Sequence, residues 1–252
     1  MKRQAYFTGL RPRVLLNSIR SLPYYIKCIY QYKRESDGKQ FPFKMSQMFP
    51  ILSDLHSTAG DLGYYFRQDL WAARRIFLRR PRKHIDIGSR IDGFIAHLLV
   101  FMPVTVIDIR PVESTIDGLY FLQDDATYLR QLPDDGVDSL SSLHVAEHFG
   151  LGRYSDPIDP AACFKFMDSL QRVLSPGGRL YFSVPIGRER VEFNAHRVFA
   201  PRTVLQNFPS LTLVSFSIIT DDGRFLENVS PADVPASNYA CGLFEFTKQS
   251  TS

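Results

Sequence analysis

The feature that most narrows the folds open to this chain begins after Pro81, where short β-rich runs alternate with helical stretches to the end of the sequence. The runs fall at 84–87, 104–109, 119–122, 137–143, 179–184, 211–219 and 242–247, and helices are expected at 94–101, around Leu129, at 161–174 and at 201–208. Parallel strands need long crossovers, usually helical, whereas antiparallel strands close through tight hairpins. The rhythm therefore predicts an α/β fold, a doubly wound and mostly parallel sheet of seven strands. A chain of 252 residues, 44% hydrophobic and 22% charged, has enough apolar surface for one large core, which excludes a disordered or disulfide-stapled chain.

In doubly wound sheets ligands gather beyond the carboxyl ends of the strands. The first such end reads Asp86-Ile87-Gly88-Ser89-Arg90-Ile91-Asp92-Gly93, where a glycine lets the backbone turn toward a ligand ahead of a helix N-terminus. The second strand ends in Asp108, 20 residues after Gly88, the spacing at which an acid meets the ribose hydroxyls of a bound nucleoside. The third is followed by Asp124-Asp125-Ala126-Thr127, which can present a carboxylate or a backbone N–H to an adenine edge.

The string DDATYLRQLPDDGVDSLSSLHVAEH followed by LQRVLSPGGRLYFSVP resembles the middle of a class I S-adenosylmethionine-dependent methyltransferase, and the resemblance covers about residues 84–185. The longer strings HVAEHFGLGRYSDPIDP and FNAHRVFAP resemble a narrower group, the domain-of-unknown-function family 268, for which a link to surface polysaccharide synthesis is plausible. The superfamily resemblance implies a Rossmann-like methyltransferase fold, S-adenosylmethionine as cofactor, Asp86 and Gly88 in the first motif, Asp108 on the ribose, and Asp125 with Ala126 on the adenine side. One departure stands out: Arg90 and Asp92 occupy the positions of the second and third glycines of the usual first turn. Turned inward, Arg90 repels a sulfonium and suits an anion such as a nucleotide phosphate. Turned outward, or gripping the methionine carboxylate with Asp92 near the amine, it leaves cofactor binding intact.

Methyl transfer to a hydroxyl needs the acceptor held in line and its proton removed, work suited to a histidine of near-neutral pKa. Three of the six histidines fall on the expected substrate loops: His144 and His148 after the fourth strand, and His196 after the fifth. His196 is the first candidate base; His148 with Glu147 matches the superfamily pair at the cofactor rim. His144-Val145-Ala146-Glu147-His148 also fits the inverted zinc-peptidase motif H-x-x-E-H, but it leaves a strand and runs into Phe149-Gly150-Leu151-Gly152, too little helix to align two ligands, so no metal site is expected. His144, with Arg153, Tyr154, Asp156 and Asp159 of the following loop, is suited to hydrogen-bonding a sugar acceptor. Ser175-Pro176-Gly177-Gly178 reads as a helix stop and turn. The expected activity is O-methylation of a saccharide or lipid-linked saccharide; the alternative is a non-catalytic module of the same fold with a degenerate cofactor site.

Charge is unevenly spread. Residues 1–83 carry 17 Lys or Arg against 5 Asp or Glu, and residues 84–252 carry 13 against 21. Leu15, Ile19, Leu22 and Ile26 recur at helical spacing, with Pro23 as a break, and a second helix is expected at 62–78. Residues 1–80 thus read as a basic, aromatic helical extension and 81–252 as the α/β domain. The extension reads either as a helical cover whose Lys and Arg stems lie over the core domain with their charges in water, or as a peripheral contact with an anionic membrane through residues 1–83; no specific nucleic-acid partner is predicted. Cys28, Cys163 and Cys241 are widely spaced, no apolar run reaches the roughly 20 residues of a membrane span, and no secretory signal is read, so a cytoplasmic location, peripheral to the membrane, is expected.

Overall fold

A computed structural model describes residues 12–57, 60, 62–110, 115–154 and 156–249. The helices are α1 (Pro12–Glu35), α2 (Tyr64–Arg79), α3 (Ala96–Leu99), α4 (Ala162–Val173) and α5 (Pro201–Gln206). The strands are β1 (His84–Ile87), β2 (Val104–Asp108), β3 (Leu119–Gln123), β4 (Val137–Leu143), β5 (Leu174–Ile186), β6 (Arg190–Glu192), β7 (His196–Val198), β8 (Leu211–Ile219), β9 (Phe225–Leu226) and β10 (Ala240–Lys248).

The chain divides into two compact units, Met1–Asp61 and Leu62–Ser252. The expected boundary at 80/81 thus moves upstream: α2 belongs with the sheet because its apolar stripe, Trp71, Ala72, Ala73 and Ile76, is buried in the same core cluster as Phe94, Leu98, Tyr181 and Leu243. In the first unit α1 runs unbroken through Pro23, which was expected to interrupt it.

In the second unit the sheet order is β3-β2-β1-β4-β5-β10-β8-β9. The first five strands are parallel, β10 is antiparallel to both β5 and β8, and the short β9 adds an edge to the seven expected strands. A separate ribbon, β6–β7, follows β5. Chain direction across the sheet switches between β1 and β4, so the loops after these two strands flank the place where this fold class binds ligands. The stretch around Leu129 is not the expected helix: it is a run of turns, with Leu129 itself at φ 44°.

The two faces of the central strands differ in chemistry. Ile87, Leu140, Leu180, Phe182 and Val184 pack with Phe166, Met167 and Leu170 of α4 on one face. The opposite face of the same strands carries a polar column. Both ring nitrogens of His84 lie 2.8 Å from serine hydroxyls, Ser139 on Nδ1 and Ser141 on Nε2, and Ser141 Oγ donates to Asp86 Oδ1 at 2.5 Å. Because Ser141 spends its proton on Asp86, it accepts from His84 Nε2–H, and Ser139 donates to Nδ1. The imidazole is thereby neutral, and burial holds its pKa down at about 3.

Candidate functional site

The turn after β1 is built on Asp86. Its fully buried carboxylate accepts from Ser89 N–H (3.0 Å), Ser89 Oγ (2.7 Å) and Ser141 Oγ (2.5 Å), while Ser89 Oγ also accepts from Leu143 N–H at 3.2 Å. Burial raises the carboxyl pKa to about 6 against the pull of these donors. Asp86, expected among the cofactor ligands, is therefore a support beneath the turn. Gly88 has φ +68°, and a Cβ there would stand 2.9 Å from Val145 Cγ1, so the position requires glycine. Arg90 turns outward: its guanidinium makes a bidentate pair with Asp92 at 3.1 and 2.7 Å, and both side chains are more than half exposed (64% and 70%). From α2, the Asp69 carboxylate reaches the same loop, where a Cβ on Gly93 would lie 2.6 Å from its Oδ2. Burial raises its pKa as well.

Asp108 stands at the carboxyl end of β2 as expected, held below the usual carboxylate range although burial pulls the other way, because Arg110 binds both of its oxygens. Arg110 Nε donates to Oδ1 at 3.0 Å and Nη2 to Oδ2 at 2.7 Å, and the guanidinium also lies 5.1 Å from the Tyr154 ring centre. Asp125 closes a turn by accepting Thr127 N–H at 2.9 Å, with Ala126 buried beside it.

The exit of β4 gathers the histidines around one carboxylate. His144 is at φ 56° and buried, with Glu147 Oε1 2.8 Å from Nδ1 and Cys241 Sγ 3.2 Å from Nε2. Burial opposes a charge on this ring, but the Cys241 sulfur and Glu147 carboxylate outweigh it and hold the His144 pKa well above its ordinary value. Glu147 is in turn held down by His144 against its own burial. Both nitrogens of His144 are engaged within the protein, so it underpins the site and does not face an acceptor, contrary to expectation. Rings of Tyr64 and Tyr65 cover it at 5.0 and 5.6 Å between centres.

Glu147 Oε2 is buried and has no hydrogen-bond partner among the described residues. His148 Nδ1 lies 2.6 Å from Ala195 O, a contact that requires the proton on Nδ1 and leaves the lone pair on Nε2, 3.8 Å from Glu147 Oε1. Arg153 Nη1 donates to the same carbonyl at 3.2 Å. His196, the first residue of β7, packs its ring on Tyr239 at 4.8 Å, and burial lowers its pKa. The three-residue turn Ala146–His148 is too short to set His144 and His148 on one helical face, and among the described residues no cluster suited to a metal ion occurs.

The loop after this turn is organised mostly by its own acids. Asp156 accepts Gly152 and Tyr154 N–H groups, and Asp159 accepts Ala161 N–H and pairs with Lys165 at 2.7 Å. These two shape the loop and the start of α4, so the expected acceptor contacts reduce to Arg153 and Tyr154. Arg110, Asp69, Tyr64, Tyr239 and Cys241 join the site without having been singled out in the sequence. Only Arg110 carried a usable signal, as a cation two residues from the ribose-position acid.

Solved structures share this fold at low identity. The [4+2]-cyclase SpnF superposes with a TM-score of 0.55 at 13% identity, covering 73% of this chain and 82% of the other. The N-methyltransferase NodS from Bradyrhizobium japonicum, in complex with S-adenosyl-L-homocysteine, gives 0.51 at 16% identity over 88% of this chain and 99% of that one. The 1,6-didemethyltoxoflavin-N1-methyltransferase of Burkholderia thailandensis, with bound 1,6-didemethyltoxoflavin and S-adenosylhomocysteine, gives 0.52 at 16% identity over 73% and 80%. No curated protein sequence matches the chain. Residues 111–217 match the family model described as "Caenorhabditis protein of unknown function, DUF268". The chain thus has the fold of the class I S-adenosylmethionine-dependent methyltransferases, and over residues 111–217 it matches the DUF268 family.

Proposed function

We propose that the chain is an S-adenosylmethionine-dependent O-methyltransferase acting on a polar hydroxyl acceptor, a saccharide or lipid-linked saccharide. The observation that carries this reading is the outward turn of Arg90, whose charge is spent on Asp92 in solvent and so does not oppose a sulfonium within the turn. The fold alone is weaker support, since it also houses a cyclase. The Gly88 turn would hold the methionine half, Asp108 the ribose hydroxyls, and Asp125 with Ala126 the adenine side. A ribose must displace Arg110 from Asp108, whose own side chain is 15% exposed while the guanidinium is 62% exposed.

When bound, S-adenosylmethionine supplies an electrophilic methyl group. The protein's part is to hold the acceptor hydroxyl and take its proton. His148 is the base in this reading, because Ala195 fixes its tautomer and leaves the Nε2 lone pair at a part-exposed edge. His196, beside Tyr239, positions the acceptor, and the buried Glu147 carboxylate holds the His144 ring beneath it. Arg153 and Tyr154 form the outer rim. A second reading, a non-catalytic binding module, draws on the bidentate Arg110–Asp108 pair, which fills the ribose acid.

Calorimetric titration with S-adenosylmethionine and S-adenosylhomocysteine separates the two. Saturable binding that Asp108→Ala removes supports the methyltransferase; no binding of either ligand overturns it and leaves the module. His148→Gln should then spare cofactor binding while slowing turnover.

A further inference from the structure

The N-terminal unit holds a helix whose amphipathicity is turned inside out. Along α1, Leu15, Ile19, Leu22, Ile26 and Tyr30 recur at intervals of three or four residues, which puts them on one stripe. That stripe is in solvent: Leu15 is 61% exposed, Ile19 62%, Leu22 43%, Ile26 44% and Tyr30 72%. Ser21, on the opposite side, is buried, and its hydroxyl donates to Asn17 O at 2.8 Å. A helix of a water-facing protein buries its apolar stripe and shows its serines. This one leaves its apolar stripe in solvent and buries Ser21.

Basic residues say what the stripe meets. Arg20, Lys27 and Arg34 stand seven residues apart, so they form one row along a flank of the apolar stripe, and all three are exposed. The last turn adds Lys33, and Glu35 is the one acid in the helix. The whole unit of residues 1–61 has 10 Lys or Arg and 4 Asp or Glu. An apolar stripe edged by cations, with tyrosines at 24, 30 and 32, matches the boundary between acyl chains and anionic headgroups. A nucleic acid would leave the apolar centre unsatisfied, and a purely apolar partner would not use the row of cations.

We propose that α1 lies in the plane of an anionic membrane surface, with Leu15, Ile19, Leu22 and Ile26 among the acyl chains and Arg20, Lys27 and Arg34 at the phosphates. Among the described residues no helix is long and apolar enough to cross a membrane, so the contact is to one face of the bilayer. This inference is independent of the cofactor reading and stands or falls separately from it.

The test is flotation of the full chain with phosphatidylcholine vesicles, with and without a quarter of phosphatidylserine. Most of the protein should float with the anionic vesicles and several-fold less with the neutral ones, and high salt should reduce the difference. Ile19→Asp with Ile26→Asp should abolish flotation without changing the thermal midpoint, because both side chains are exposed. Arg20→Gln with Lys27→Gln should lower the anionic preference several-fold. No flotation with anionic vesicles, or flotation that the aspartates leave unchanged, would overturn the proposal. So would a dimer in light scattering that the aspartates split in the absence of vesicle binding, which would assign the stripe to a second copy.

Discussion

Two stretches of the sheet's carboxyl edge handle charge in opposite ways. Beyond β1 and β2 the acids are met by arginines whose guanidinium groups are 64% and 62% exposed: Arg90 on exposed Asp92, and Arg110 on Asp108, itself 15% exposed. Beyond β4 the Glu147 carboxylate and His144 ring are only 1% and 2% exposed, and the ring's other nitrogen is closed by Cys241. Exposed pairs are nearly free to exchange partners, whereas a buried pair stripped of one member leaves a charge without solvent. The first stretch is thus built to give way to a ligand and the second to hold a shape. In the proposed enzyme that is the division between a cofactor that comes and goes and a base that must stay aligned.

The comparison is broken most severely at Glu147. Glu147→Ala leaves buried His144 without its carboxylate and should cost about 3–5 kcal/mol in denaturant unfolding; a loss no larger than that of Arg90→Ala would remove the contrast. Next comes acid. The folded-state pKa of His84 is depressed to about 3 while its unfolded value is near 6.5, so the unfolded chain binds the extra proton between these values. The His84 share of the stability is full above about pH 6.5 and falls by about 1.4 kcal/mol per pH unit below it, while Asp86, raised to about 6, works in the opposite direction below that pH. His84→Gln should flatten that limb, and an unchanged slope would show that His84 does not titrate as described.

At the exposed stretch the effects should be smaller and fall on ligand binding. Arg110→Ala frees Asp108, so S-adenosylhomocysteine should bind more tightly by calorimetry, because the ribose no longer competes with the guanidinium. Weaker binding would instead make Arg110 a ligand contact. The smallest effect belongs to Arg90→Ala, within about 1 kcal/mol in stability, as measured by thermal unfolding. A larger loss would mean that the Arg90–Asp92 pair shapes the turn after all.

The legible parts of the site were those set by local chain geometry. Gly88, Asp108 and Asp125 end or follow strands, and their places follow from counting along the chain; the helix stop read at 175–178 falls where α4 ends at Val173, but those residues belong to an irregular start of β5 and not to a turn. The His144–Cys241 contact joins residues 97 apart and the Cys241–Gln68 contact residues 173 apart, so no spacing reveals them. Asp156 and Asp159 were misread for the same reason in reverse: their partners lie within six residues, and polar groups that fold back on their own loop look in sequence like groups offered to a ligand.

Sequence periodicity was enough to determine the mostly parallel sheet, because alternating strands and helices have few ways to bury their apolar faces. It also marked both α1 and α2 as amphipathic. Only the tertiary structure decided their different fates, α2 closing one face of the sheet and α1 leaving its stripe in solvent. Helical spacing says that a face is apolar, while what covers that face depends on the surfaces the rest of the chain presents. In the same way the residue types named acids, bases and a thiol, and the folded chain decided which of them are sealed against each other and which stand open at the edge.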